Sequence, residues 1–224
     1  MAPDFQRGTI RYLGAGQETG REWFEMIRHQ NGRTLRAFCE MDDVGLSRDV
    51  SIALDPASRP LDAFVRVIKN GQIIGTTLFL LTPDHLETTG RLAASARLSQ
   101  RQRLDRPLAY LGLHPLVGDA LIATVRGTHS EGEFLPIAAY TNSQSPAGDE
   151  GLYAVPVTIE VAYQGTAPLA VTAGRFEARR YALRWKPEWP PATLWVHGED
   201  ALFLRLDWPM LDVSYELCEH RIGR

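Results

Sequence analysis

Alternation with a period of two, punctuated by Asn-Gly pairs, limits this chain more than any other feature of its sequence. Trp23, Glu25, Ile27 and His29 fall on one side of an extended run, with Glu22, Phe24, Met26 and Arg28 on the other. Asn31-Gly32 then supplies a two-residue turn, and a second run occupies 34–41. Asn-Gly suits such turns because both positions require positive φ where twisted antiparallel strands meet. The same pattern recurs at 63–69, Asn70-Gly71 and 72–81. Further strand-like segments are read at 84–89, 95–103, 134–142, 152–162, 168–185, 193–197, 201–208 and 211–219. Helical periodicity is confined to 115–125, which opens on a proline at a helix-start position. The expected fold is therefore mainly β: a large antiparallel sheet, curled into a half-barrel or open barrel, with one short helix. It is expected to be a single domain, 1–224, because a sheet of ten or so strands curls rather than staying flat.

Composition narrows the function classes. The chain of 224 residues is 44% hydrophobic and 23% charged, enough apolar material for a core without metal or disulfide staples. Its net charge of -3 argues against a nucleic-acid partner, which would call for a basic footprint. No run of about 18 apolar residues marks a membrane span. The segment Met1-Ala-Pro-Asp-Phe-Gln-Arg7 lacks the apolar stretch of a secretory leader, so a cytoplasmic protein is expected. Cys39 and Cys218 lie in apolar strand-like stretches and read as reduced thiols; a bridge would need the first and last strands to be neighbours.

Several chemistries lose support on spacing. Leu13-Gly14-Ala-Gly16-Gln-Glu-Thr-Gly20 resembles a dinucleotide loop, but a strand pattern follows where that motif needs a helix, so a tight inter-strand loop is expected. There is neither a P-loop nor a Gly-x-Ser-x-Gly elbow. The six histidines never fall three or four apart and no Cys-x-x-Cys occurs, so no metal and no cofactor are expected. Arg97, Arg101, Arg103 and Arg106 read as a solvated strand with its turn. Trp185, Trp189, Trp195 and Trp208 read as packing residues, or as a ligand-stacking wall.

An acid–base constellation remains. His114 ends a strand-like run just before Pro115, and Asp119 follows in the first helical turn. A histidine there, with a carboxylate fixing its tautomer, suits a general base titrating near pH 6 to 7. The bland alternative is local capping by both residues. Tyr140 ends a later strand and could stabilise developing negative charge. His129 is the next candidate base.

Residues 168–219 resemble uncharacterised bacterial proteins related to the LolA/LolB lipoprotein carriers. The likeness is carried by Gly174-Arg-Phe-Glu-Ala-Arg-Arg-Tyr181, Pro191-Ala-Thr-Leu-Trp-Val-His197, the turn Gly198-Glu-Asp200 and the two strands after it. It implies an antiparallel sheet curled into an incomplete barrel around an apolar concave face. Those relatives are typically exported, whereas no leader is read here.

The favoured function is a cofactor-independent lyase, hydratase or isomerase acting on an apolar aromatic or polycyclic small molecule. His114, Asp119 and Tyr140 are the expected catalytic residues; Arg179, Tyr181, Phe203 and Arg205 are the expected ligand contacts. The alternatives are a hydrophobic-ligand or lipid carrier, and a module whose sheet edge pairs with a partner or with a second copy of the chain. An enzyme should set polar groups deep in an apolar cavity, whereas a carrier should line it uniformly with apolar side chains.

Overall fold

A computed structural model describes residues 5–93 and 95–223. Its first half is an antiparallel meander: β1 (Phe5–Gly14), β2 (Gln17–His29), β3 (Gly32–Met41), β4 (Leu46–Leu54), β5 (Pro60–Lys69), β6 (Gln72–Leu81), β7 (His85–Leu92) and β8 (Ser95–Arg103). A short strand β9 (Leu111–Gly112) and two helical pieces, α1 (Leu116–Asp119) and α2 (Ile122–Arg126), come next. The second half is β10 (Phe134–Thr141), β11 (Val155–Val171), β12 (Gly174–Arg184), β13 (Ala192–His197), β14 (Leu202–Trp208) and β15 (Val213–Gly223). All 15 strands belong to one sheet, ordered β8 to β1, then β15 back to β9. Among the described residues, only β9 and β10 pair in parallel.

The sheet is mainly β, curled and not closed, as the alternation predicts. Its hydrogen-bonded edges are β8 and β9. Gln100 and Gln102 on β8 each donate through Nε2 to the Ala154 carbonyl, at 3.1 and 2.8 Å, so the curl brings β8 back to the segment before β11. The β8 edge carries Arg97, Arg101 and Arg103, all exposed, and such charge discourages edge-to-edge pairing with another chain. Alternate residues of each strand turn inward; on β4 these are Leu46, Arg48, Val50, Ile52 and Leu54. The helical pieces fill the concavity, burying Leu116, Val117, Leu121, Ile122 and Ala123. Among the described residues, no helix is long and apolar enough to cross a membrane.

Several expectations are corrected in detail. β1 and β4 escaped the sequence reading, and the two segments 152–162 and 168–185 divide differently. β11 runs unbroken to Val171 across a bulge between Tyr163 and Thr166, and the turn comes only at 172–173. The helix over 115–125 is two short pieces. The Asn70-Gly71 turn lies where expected, with φ of 50° and 76°. The earlier turn is one residue early: His29 pairs with Gly32, so Gln30 and Asn31 form the loop. Gly32 instead answers a close approach, since a Cβ there would sit 2.0 Å from the Leu54 carbonyl oxygen. Ala15-Gly16 is a tight turn between β1 and β2, consistent with a structural rather than nucleotide-binding glycine run. The first and last strands are neighbours, yet both cysteines are free: Cys39 is buried on β3, and Cys218 is half-buried on β15.

Candidate functional site

The sheet encloses a cavity of about 200 Å³ against the helical pieces. All three residues expected to be catalytic, His114, Asp119 and Tyr140, line it. Strand pairing explains their convergence. β9 and β10 run in parallel, so the chain leaving Leu111–Gly112 toward His114 departs beside the end of β10, where Tyr140 and Thr141 stand. The left-handed φ of 73° at His114 turns the chain into α1, whose last residue is Asp119. Non-glycine residues seldom take that conformation, and residues held in it tend to cluster at functional sites.

Asp119 does not orient His114. Its Oδ1 accepts from the Tyr110 hydroxyl at 3.0 Å, and Oδ2 has no partner among the described residues. Burial pushes the Asp119 carboxyl up to about 7; the Glu22 charge adds to this, while Tyr110 and Arg48 oppose it. Tyr110 itself is pushed well up by burial and by the neighbouring Asp119. His114 Nε2 lies 3.2 Å from the Ser143 carbonyl. A carbonyl only accepts, so Nε2 carries the proton and Nδ1 is left as an acceptor. Burial, reinforced by the Arg48 charge, lowers His114 to about 3. The expected titration near 6 to 7 is therefore corrected: the imidazole is neutral across the physiological range. Histidine-labelled nuclear magnetic resonance spectra should show a fixed Nε2–H tautomer with no titration between about pH 5 and 8. A His114 midpoint near 6.5 would return it to the role of titrating base.

The aromatic wall is built by the connection from β12 to β13 folding over β14. Trp185 and Trp189 pack on Trp208 with ring centroids 4.9 and 6.0 Å away. All three line the cavity, whereas Trp195 does not. Tyr12 and Tyr215, opposed across β1 and β15, meet edge-to-face at 5.0 Å on another wall. The segment 143–147 covers the polar end. Gly148, at φ 68°, lets it do so: a Cβ there would lie 2.5 Å from Arg48 Nη2 and 2.6 Å from His114 Cγ.

Two interior charges were missed. Glu22, fully buried, accepts from the N–H groups of Leu116 (2.8 Å) and Val117 (3.0 Å) and from the Tyr12 hydroxyl (3.0 Å). The Cys39 thiol lies 3.5 Å from the same carboxylate. Burial still raises Glu22 above its ordinary value. Arg48 is buried in the cavity wall, its Nη2 donating to the carbonyls of Ala147 (2.6 Å) and Gly148 (3.2 Å). Both charges were readable, because each falls in phase with an apolar stripe.

The four expected ligand contacts lie elsewhere. A bulge between Trp195 and Val196 shifts the β13–β14 register, pairing Phe203 with Val196 and turning it into the core. Arg205 bonds Asp207 at 2.9 Å and approaches Glu216 at 3.5 Å, so this part of β14 is an ion-paired surface. Tyr181 is core, tilted against Tyr163 at 5.4 Å, and Arg179 donates to the Gly198 carbonyl at 2.5 Å. His129 is exposed, its carbonyl accepting from Arg126. Among the described residues, no group of three or more His, Cys, Asp or Glu side chains is placed to hold a metal ion.

Neither a family model nor a curated protein matches the chain. Solved structures do. A β-barrel-like protein of a domain of unknown function, DUF1849, from Brucella abortus superposes with a TM-score of 0.61 at 11% identity, covering 99% of each chain. A DUF1089 family protein from Pseudomonas aeruginosa gives 0.53 at 14% identity, over 85% of this chain and 90% of the other. At such identities the likeness is one of fold: this chain is similar to bacterial β-barrel-like proteins of unknown function. Neither is described as a lipoprotein carrier.

Proposed function

We propose that the half-barrel takes a small aromatic molecule into its cavity and exchanges a proton with it without a cofactor, in a lyase, hydratase or isomerase reaction. The observation that carries this reading is Asp119: a carboxyl held by one hydroxyl, with its second oxygen unpartnered among the described residues, on the wall of a tryptophan-lined cavity. A carboxyl poised near neutrality can both take and return a proton at physiological pH. Asp119 is thus the acid–base group; Tyr140 is placed to steady negative charge on the substrate, and neutral His114 offers Nδ1 as an acceptor. Cavity size narrows the substrate. An apolar cavity of roughly 150 Å³ admits benzene, so about 200 Å³ suits a one- or two-ring body rather than a larger polycycle.

A carrier would use the same aromatic wall. Asp119 favours the enzyme, because a buried carboxyl weakens a site meant only to hold apolar surface. Tryptophan emission tests the shared premise. Neutral one- and two-ring aromatics should quench it saturably, and Trp189→Leu should weaken their binding about tenfold. Failure of a panel of such compounds to bind would sink both ligand readings, while binding without turnover of any member would leave the carrier.

A further inference from the structure

Arg48 stands apart from the other two buried arginines. Arg126 spends its guanidinium on four backbone carbonyls, those of Val161, His129, Ser130 and Glu133, between 2.7 and 3.0 Å. Arg33 is held by Asp200 at 2.8 Å and by Ser58. Both are structural pegs. Arg48 uses only Nη2, on two carbonyls of the covering segment. Its Nε is fully buried without a partner, and Nη1 donates to nothing among the described residues. Among the described residues, no carboxylate lies within ion-pairing distance of it.

The acidic neighbours are bonded elsewhere, Asp119 through one oxygen only. Glu22 is taken up by two backbone N–H groups and the Tyr12 hydroxyl. Asp149 is bound by Lys69 at 2.5 Å and by the Ser145 hydroxyl at 2.9 Å. Asp119 accepts from Tyr110. Among the described residues, donors are in surplus around the cavity: Trp208, which lines it, has its indole Nε1 buried without a partner, and Lys186 stands at the same wall over the Trp189 ring. A buried guanidinium with unused donors is costly unless something with matching geometry meets it.

We infer that the cavity's ligand carries a carboxylate and that Arg48 is its anchor, so that the substrate class is a small aromatic acid. This rests on the reading of the cavity as the ligand site. A guanidinium donates readily to a carboxylate, and Nη1, unlike the sealed Nε, is the donor left open for it. A phosphate would ask for more. It is larger and more highly charged, and the N–H groups that open α1, its usual seat, are already occupied by Glu22. The carboxylate orients the ring against Trp185, Trp189 and Trp208 and fixes which carbon faces Asp119.

Calorimetric titration of the whole protein with 2-naphthoate and with the neutral, nearly isosteric 2-naphthamide tests the anchor. It is best done at about pH 6, where the ligand is ionised and Asp119 mostly protonated. The naphthoate should bind at least tenfold more tightly to wild type. Arg48→Gln should erase that preference while leaving 2-naphthamide affinity within about threefold, and Arg48→Lys should keep part of it. Equal affinities in wild type would overturn the anchor while leaving the aromatic cavity standing, whatever the variants do. A naphthoate preference that survives in a folded Arg48→Gln protein would overturn it as well. If neither compound binds wild type, the inference falls together with the reading of the cavity beneath it.

Discussion

Asp119→Asn is expected to lower turnover by roughly two to four orders of magnitude, the scale for losing a positioned proton-transfer group, and to make the protein more stable above neutral pH. The two effects share one cause. The folded protein holds the Asp119 proton to about 7, against an ordinary value of 3.8. Between those values the folded state binds a proton that the unfolded state has released, so this group's contribution to stability falls as pH rises. The loss is complete above about pH 7 and amounts to about 4 kcal/mol at most, at 1.36 kcal/mol for each pH unit. Asparagine keeps an acceptor for the Tyr110 hydroxyl and carries no charge to bury. His114 acts in the opposite sense: lowered to about 3, it favours the folded state increasingly as pH climbs from there toward 6.5. Asp119's share is therefore read from the difference between variant and wild type in urea unfolding at about pH 5 and pH 8.5. The gap should favour asparagine by about 1 to 2 kcal/mol at the lower pH and by about 4 kcal/mol at the higher. Wild-type turnover in the variant would remove Asp119 from the chemistry, and a gap independent of pH would mean that its carboxyl is not poised near neutrality.

Much of the fold, and part of the site, was legible in strand parity. β3, β5, β6, β8, β13 and β14 follow directly from alternation and turn residues, because a one-residue slip would turn every side chain to the wrong face. Parity also marks the interior charges. Glu22 shares a side with Phe24 and Met26, and Arg48 stands between Leu46 and Val50 on the inward face of β4. A charged residue in phase with an apolar stripe is either buried or a sign of misread register, and here both are buried. What parity cannot supply is any change of phase or contact distant in sequence. The bulge on β13–β14 moves Phe203 from the outer face to the core. Asp119 lies five positions from His114, yet its hydroxyl partner, Tyr110, comes from the run before β9. The segment 143–147 reads as a plain polar loop until the curl of the sheet lays it over Arg48 and His114.

Glu22→Ala is expected to destabilise the protein by about 3 to 5 kcal/mol, the range for removing a buried, multiply hydrogen-bonded charge. A helix as short as α1 cannot hold itself together in water. Pro115 precedes it and provides no side-chain cap, so its first N–H groups depend on a carboxylate reaching across from β2. Truncation orphans both N–H groups and the Tyr12 hydroxyl and leaves a void between the sheet and the helical plug. Because α1 also carries Asp119, loss of its anchor should loosen the cavity wall and weaken aromatic ligand binding before the protein unfolds. Glu22→Gln separates charge from shape. Its one carbonyl oxygen can serve one of the N–H groups, but its amide NH₂ faces the other as donor against donor, so roughly half of the destabilisation should remain. Urea midpoints at constant m-value measure both variants. A Glu22→Ala protein within about 1 kcal/mol of wild type would mean that the helical plug is held by its apolar contacts alone. In that case the depth at which Asp119 and Arg48 sit would be set by the sheet rather than by the carboxylate beneath α1.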